Sequence, residues 1–70
     1  TRLQELCARI GIGAPSYDTE GEGPDHERVF TATAVVEGIT FGSGEGRTKK
    51  AAEQVAAIEA YDALVEKYDA

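Results

Sequence analysis

Arg47, Thr48, Lys49 and Lys50 run consecutively in an acidic chain. Three of its seven lysine and arginine residues therefore fall in "GRTKK", where the residue pattern predicts that a helix begins. A helix N-terminus carries partial positive charge and favours anions, so cations there are locally unfavourable until a counter-charge arrives. A phosphate reverses the sign. First-turn N–H groups, the helix dipole and three cations then act on one anion. Anion binding is the chemistry these residue types offer; the plainer reading is a solvated helix start with ordinary surface cations.

Few other side chains could react. The chain has one cysteine and one histidine. Cys7 falls on the apolar face of a helix, where a free cysteine behaves as a small hydrophobe. His26 is the sole candidate base for it. One Cys and one His make neither an internal disulfide nor a zinc site by themselves. Carboxylates are plentiful but stand in no acid–base or metal-ligand pattern. "FGSGEGRTK" resembles a phosphate loop only in its glycines. The Walker pattern needs glycine at position 41 and lysine at position 47, where the chain has Phe41 and Arg47. Gly42, Gly44 and Gly46 also miss the dinucleotide spacing. Catalysis by this chain is not expected, and no cofactor or small-molecule substrate is implied. His26 sits in "GPDH", where Gly23 permits a sharp turn and Pro24 stiffens the loop. A stiff loop tip can enter a groove at little ordering cost.

The elements that must position these residues follow from periodicity. Leu3, Leu6, Cys7 and Ile10 mark one face of a helix over residues 2 to 11. Thr1 is placed to cap it, with Gln4 completing a T-x-x-Q capping box. Gly11, Gly13 and Pro15 end it, and Gln4, Glu5, Ala8 and Arg9 face outward. Residues 15 to 21 read as a strand around Tyr17, followed by the loop "EGEGPDHE". In "RVFTATAVV", residues 28 to 36, Phe30, Ala32, Ala34 and Val36 share one face of a strand; Thr31, Thr33 and Val35 share the other. "EG" at 37 and 38 signals a tight turn, and a third strand over residues 39 to 43 carries Ile39 and Phe41. The glycine run after it is expected to bring backbone close to a docked ligand. A second helix spans residues 48 to 68 with Thr48 as N-cap. Ala52, Ala56, Ala60, Ala63 and Leu64 form its inner arc, and Glu59, Asp62 and Glu66 a solvated stripe. The expected fold class is α+β, in the order α-β-β-β-α: a three-stranded antiparallel sheet with both helices on one face. Residues 1–70 are expected to make a single domain with a small core.

Net charge is −6, which by itself argues against a polyanion ligand. The basic cluster is nevertheless separated in sequence from the acidic groups at Asp18, Glu20 and Glu22 and at Glu59, Asp62 and Glu66. No run of about 18 apolar residues is present to span a membrane. No signal-peptide pattern opens the sequence, and with the free Cys7 this leads to the expectation of a reducing cytoplasm.

Four stretches taken together, "LQEL" (3–6), "GPDHERVFTA" (23–32), "GSGEGRTKKAAEQ" (42–54) and "AA" (56–57), resemble the double-stranded-RNA-binding domain, most closely that of bacterial ribonuclease III. The third is the most specific, since members typically read G-x-G-[RK]-[ST]-K-K-x-A-[EK]. The resemblance implies three contacts with A-form RNA. Gln4 and Glu5 match contact positions of the first helix in one minor groove, with Thr1 at its start. The loop carrying Pro24 and His26 would enter the next minor groove. Arg47, Thr48, Lys49 and Lys50 would meet phosphates across the major groove between them. Such domains cover about 16 base pairs and read shape and 2′-hydroxyls more than sequence. The chain departs from the pattern at Ala8, where some members carry a longer polar residue, at Glu53, where animal members often place a third lysine, and in its acidity. The partner implied is double-stranded RNA. The parent implied is a homodimeric, magnesium-dependent endonuclease whose nuclease domain lies outside these residues, with the isolated domain monomeric. Two other readings stay open beside this one: a protein-interaction module of the same fold, and a small anion-binding domain using the second helix start alone.

Overall fold

The computed structural model describes residues 2–69; Thr1, as helix cap and as RNA contact, lies outside the described residues. Leu3, Leu6 and Cys7 recur at helical spacing and are all buried on α1 (Arg2–Ile10). Gly11 ends this helix at φ 82°. The Ile12 N–H donates to the Cys7 carbonyl at 3.0 Å and the Gly11 N–H to the Ala8 carbonyl at 3.3 Å. This is a Schellman closure, which needs a left-handed residue that glycine adopts without a Cβ penalty. Ile12 then packs on the core.

Three antiparallel strands follow in the spatial order β1-β2-β3: β1 (Ser16–Glu22), β2 (Val29–Val36) and β3 (Ile39–Gly46). The two faces of β2 separate as the alternation predicts, with Ala32, Ala34 and Val36 buried. Glu37 at φ 52° and Gly38 at φ 79° make the β2–β3 turn. Two positive φ values in a two-residue loop match the right-handed twist of the flanking strands. Opposite this, Ala34 faces Gly42 while Val35 faces Thr40, so Phe41 is the extra residue of a β-bulge.

α2 (Lys49–Asp69) crosses the inner face of the sheet. Of its expected inner arc, Ala52, Ala56, Ala60 and Leu64 are fully buried, whereas Ala63 is only half-buried and stands outside the core cluster. Glu59, Asp62 and Glu66 are exposed. α1 lies against α2 and shares its core, giving the α-β-β-β-α order with both helices on one side. Among the described residues, five of the ten buried apolar ones are alanines, so close approach of backbones substitutes for side-chain volume.

The extent of the third strand needs correction. β3 does not stop at residue 43; it continues through Gly46. Gly42, Gly44 and Gly46 are paired strand residues opposite Ala34, Ala32 and Phe30, and they face α2. A Cβ on Gly44 would lie 2.5 Å from Val55 Cβ and 2.6 Å from the Ala56 nitrogen. The glycines let the helix approach the sheet, and do not present backbone to a ligand. Period-2 spacing of the glycines is the mark of a strand face.

Candidate nucleic-acid interface

Chain geometry fixes the cationic cluster tightly. β3 ends at Gly46, Arg47 and Thr48 connect, and α2 begins at Lys49. The Thr48 hydroxyl accepts from the Ala51 N–H at 3.0 Å, and its carbonyl accepts from the Ala52 N–H at 3.1 Å. Thr48 is thus the N-cap, as its residue type predicts. No acidic residue occupies the first turn. Arg47, Lys49 and Lys50 are all exposed. Among the described residues the one ion pair is Arg28–Asp25, so none of these three cations is neutralised by a carboxylate. The first-turn N–H groups that have no intrahelical acceptor add to the same positive end.

The β1–β2 loop is shaped by its own residues. Gly23 turns the chain at φ 97°, and a Cβ there would approach the Glu27 carbonyl oxygen at 3.0 Å. Pro24 at φ −68° leads into a short 3₁₀ turn, Asp25–Glu27. The Glu27 N–H donates to the Pro24 carbonyl at 2.9 Å. Arg28 donates to Asp25 Oδ1 at 3.0 Å across the turn. His26, at its centre, is exposed. The sharp turn expected at Gly23 is present, followed by Pro24 and the short 3₁₀ turn. The Arg28–Asp25 pair has its sequence signal in an acid and an arginine at i, i+3.

Gln4 and Glu5 are exposed on α1, as are Ala8 and Arg9. The Arg2 guanidinium stands over the Tyr61 ring at 5.8 Å and ties the start of α1 to α2. Cys7 is 1% exposed. Burial, and secondarily the charge of Glu37, pushes its thiol pKa up, which removes it further from nucleophilic chemistry. The predicted contacts therefore stand on three separate elements, each with its own local reason for being exposed.

Glu53 departs from the family pattern in charge. Its carboxylate in fact accepts from the Thr19 hydroxyl of β1 at 3.1 Å. Nothing local in sequence links residues 34 positions apart.

The model of the family "Double-stranded RNA binding motif" matches residues 1–64. Ribonuclease 3 of Nocardia farcinica is 56% identical over 64 residues, 91% of this chain and 27% of that protein. Ribonuclease 3 of Mycobacterium tuberculosis H37Rv shows the same identity and coverage. For Ribonuclease 3 of Streptomyces coelicolor the identity is 52%, over 91% of this chain and 23% of the relative. The chain thus spans about a quarter of the length of these relatives. Among solved structures, the first double-stranded-RNA-binding domain of protein HYL1 superposes with a TM-score of 0.81 at 33% identity, covering 96% of each chain. A structure of Arabidopsis HYL1 superposes with a TM-score of 0.79 at 37% identity, covering 91% of this chain and 92% of that one.

Proposed function

Because this chain belongs to the double-stranded RNA binding motif family and is a double-stranded-RNA-binding module, we propose that it grips an A-form duplex through the three elements described above. Gln4 and Glu5 of α1, with Thr1 before them, meet one minor groove. Pro24 and His26 of the β1–β2 loop meet the next. Arg47, Thr48, Lys49 and Lys50 bridge the phosphates of the intervening major groove. The groove is deep and narrow, so cations on a helix end reach its rims without entering. The carrying observation is the capped start of α2 with its three exposed cations, unpaired among the described residues.

The module's parent is a ribonuclease III, on the strength of the 52–56% identities. In such a protein this chain supplies binding and the nuclease domain supplies magnesium-dependent hydrolysis, so the chain alone is not an enzyme. We take the isolated module as a monomer and the parent as a cytoplasmic homodimer. Two modules on one dimer raise the effective concentration of the second contact.

The test is binding at low salt to a blunt RNA duplex of about 20 base pairs, the matching DNA duplex and single-stranded RNA, since the contact spans about 16 pairs. RNA duplex is expected to bind well above both others. Equal affinity for DNA overturns the 2′-hydroxyl contacts. The second reading, an interaction module, draws on Ile58, 64% exposed on α2; absence of binding to every nucleic acid favours it.

A further inference from the structure

Glu53 lies one helical turn beyond the cationic cluster. Lys49 is four residues before it and Lys50 three, the spacings at which side chains on one helix face meet. Lys50 and Glu53 also border the same surface recess, with Tyr17, Gln54 and Ala57. Yet neither lysine forms an ion pair with the carboxylate, the only such pair among the described residues being Arg28–Asp25. Glu53 Oε2 instead accepts from the Thr19 hydroxyl at 3.1 Å in a part-buried bond. Tyr17, which shares the inward face of β1 with Thr19, has its pKa raised, first by burial and then by the Glu53 charge. Thr19 is therefore the group of β1 that holds this carboxylate against the strand, and Tyr17 on the same face is close enough to feel its charge.

We propose that Thr19 is a positioning residue for RNA binding: by holding Glu53 against β1, it keeps a carboxylate from pairing with Lys49 and Lys50 and leaves both for phosphate. The inference rests on the proposed phosphate contact of that cluster. A released Glu53 competes directly with RNA. It is already attached one turn away, and phosphate must displace it from each lysine. The bond is also directional. Thr19 is a hydroxyl donor, so it lowers the energy of the carboxylate without adding a positive charge that would itself attract phosphate.

A double-mutant cycle separates this role from a merely structural clasp between β1 and α2. Thr19→Val removes the donor at nearly constant shape. Glu53→Gln keeps an acceptor for Thr19 but removes the charge. Affinity for an RNA duplex is measured at low and moderate salt for each variant and for the pair, at temperatures where circular dichroism shows every variant folded. Thr19→Val is expected to weaken binding about threefold at low salt, with the difference shrinking as salt rises. Thr19→Ser keeps wild-type affinity. Glu53→Gln binds only slightly tighter, because the held carboxylate repels phosphate merely through space, and adding Thr19→Val to it changes nothing, since the freed side chain no longer carries charge. Equal weakening by Thr19→Val in both backgrounds, or no weakening in either, overturns the proposal. Lys49→Glu with Lys50→Glu keeps the two failures apart. If that variant loses RNA while Thr19→Val is silent, the phosphate contact stands and the positioning role falls. If that variant binds as wild type, the phosphate contact fails and the positioning role falls with it.

Discussion

A Cβ placed on Gly42 would lie 2.5 Å from the backbone nitrogen of Ala60. The obstacle is helix backbone, which cannot swing aside like a side chain. Ala56 O, at 2.6 Å, closes the other side. Gly42→Ala must therefore move α2 away from β3. Overpacking of this kind costs about 1–3 kcal/mol, a large share of the stability of a small domain. Urea denaturation is the measurement, with exposed Ser43→Ala next to it as the control, expected within about 0.5 kcal/mol of wild type.

Thr48 has one local job that can be tested without RNA. Its hydroxyl satisfies the Ala51 N–H, so Thr48→Ala is expected to lower stability by about 1 kcal/mol. Thr48→Ser, which keeps the oxygen, recovers most of that loss. An unchanged denaturation midpoint in Thr48→Ala would show that the cap carries no net stabilisation.

Salt should release the ligand readily. With three cations on phosphates, the logarithm of the binding constant is expected to fall with the logarithm of salt concentration at a slope of about −2.7. Lys50→Gln reduces the magnitude of that slope by about 1 and weakens binding evenly across duplex sequences. A slope unchanged in this variant would remove Lys50 from the phosphate contacts.

Alkali should destabilise the fold through two acids, the buried Cys7 and the half-buried Tyr17. Burial raises the pKa of both Cys7 and Tyr17 above their unfolded values. Their stabilising contribution is whole below the unfolded pKa, about 8.5 for the thiol and about 10 for the phenol. It is lost as pH rises from there through the folded values, because the unfolded chain releases protons first. The wild-type melting temperature is therefore expected to start falling above about pH 8.5. In Cys7→Ala the absolute melting temperature drops because a cavity opens, but the first stretch of the alkaline decline disappears. Parallel pH curves for the two proteins would count against the thiol.

Much of the fold was legible because its signals are local. The Thr48 cap, the Gly11 stop, the Glu37–Gly38 hairpin turn and the alternation of Ala32, Ala34 and Val36 each depend on neighbours within a few residues, and each is found where residue type and spacing put it. The exposed positions of the basic cluster, of His26 and of Gln4 and Glu5 were legible for the same reason. The glycine run misled, because "GSGEG" satisfies both a loop composition and a strand face, and only the helix lying against it distinguishes the two.

The sequence by itself determined the order of elements, the cap of α2, the stop of α1, the β2–β3 turn, and which residues carry positive charge. Only the tertiary structure decided what the glycines are for and where the Glu53 carboxylate points. Both depend on elements far apart in the chain: α2 resting on β3 leaves no room for a Cβ at Gly42 or Gly44, and β1 reaching α2 lets Thr19 take Glu53. Such contacts exist only after the chain has closed on itself, so local propensity holds no record of them.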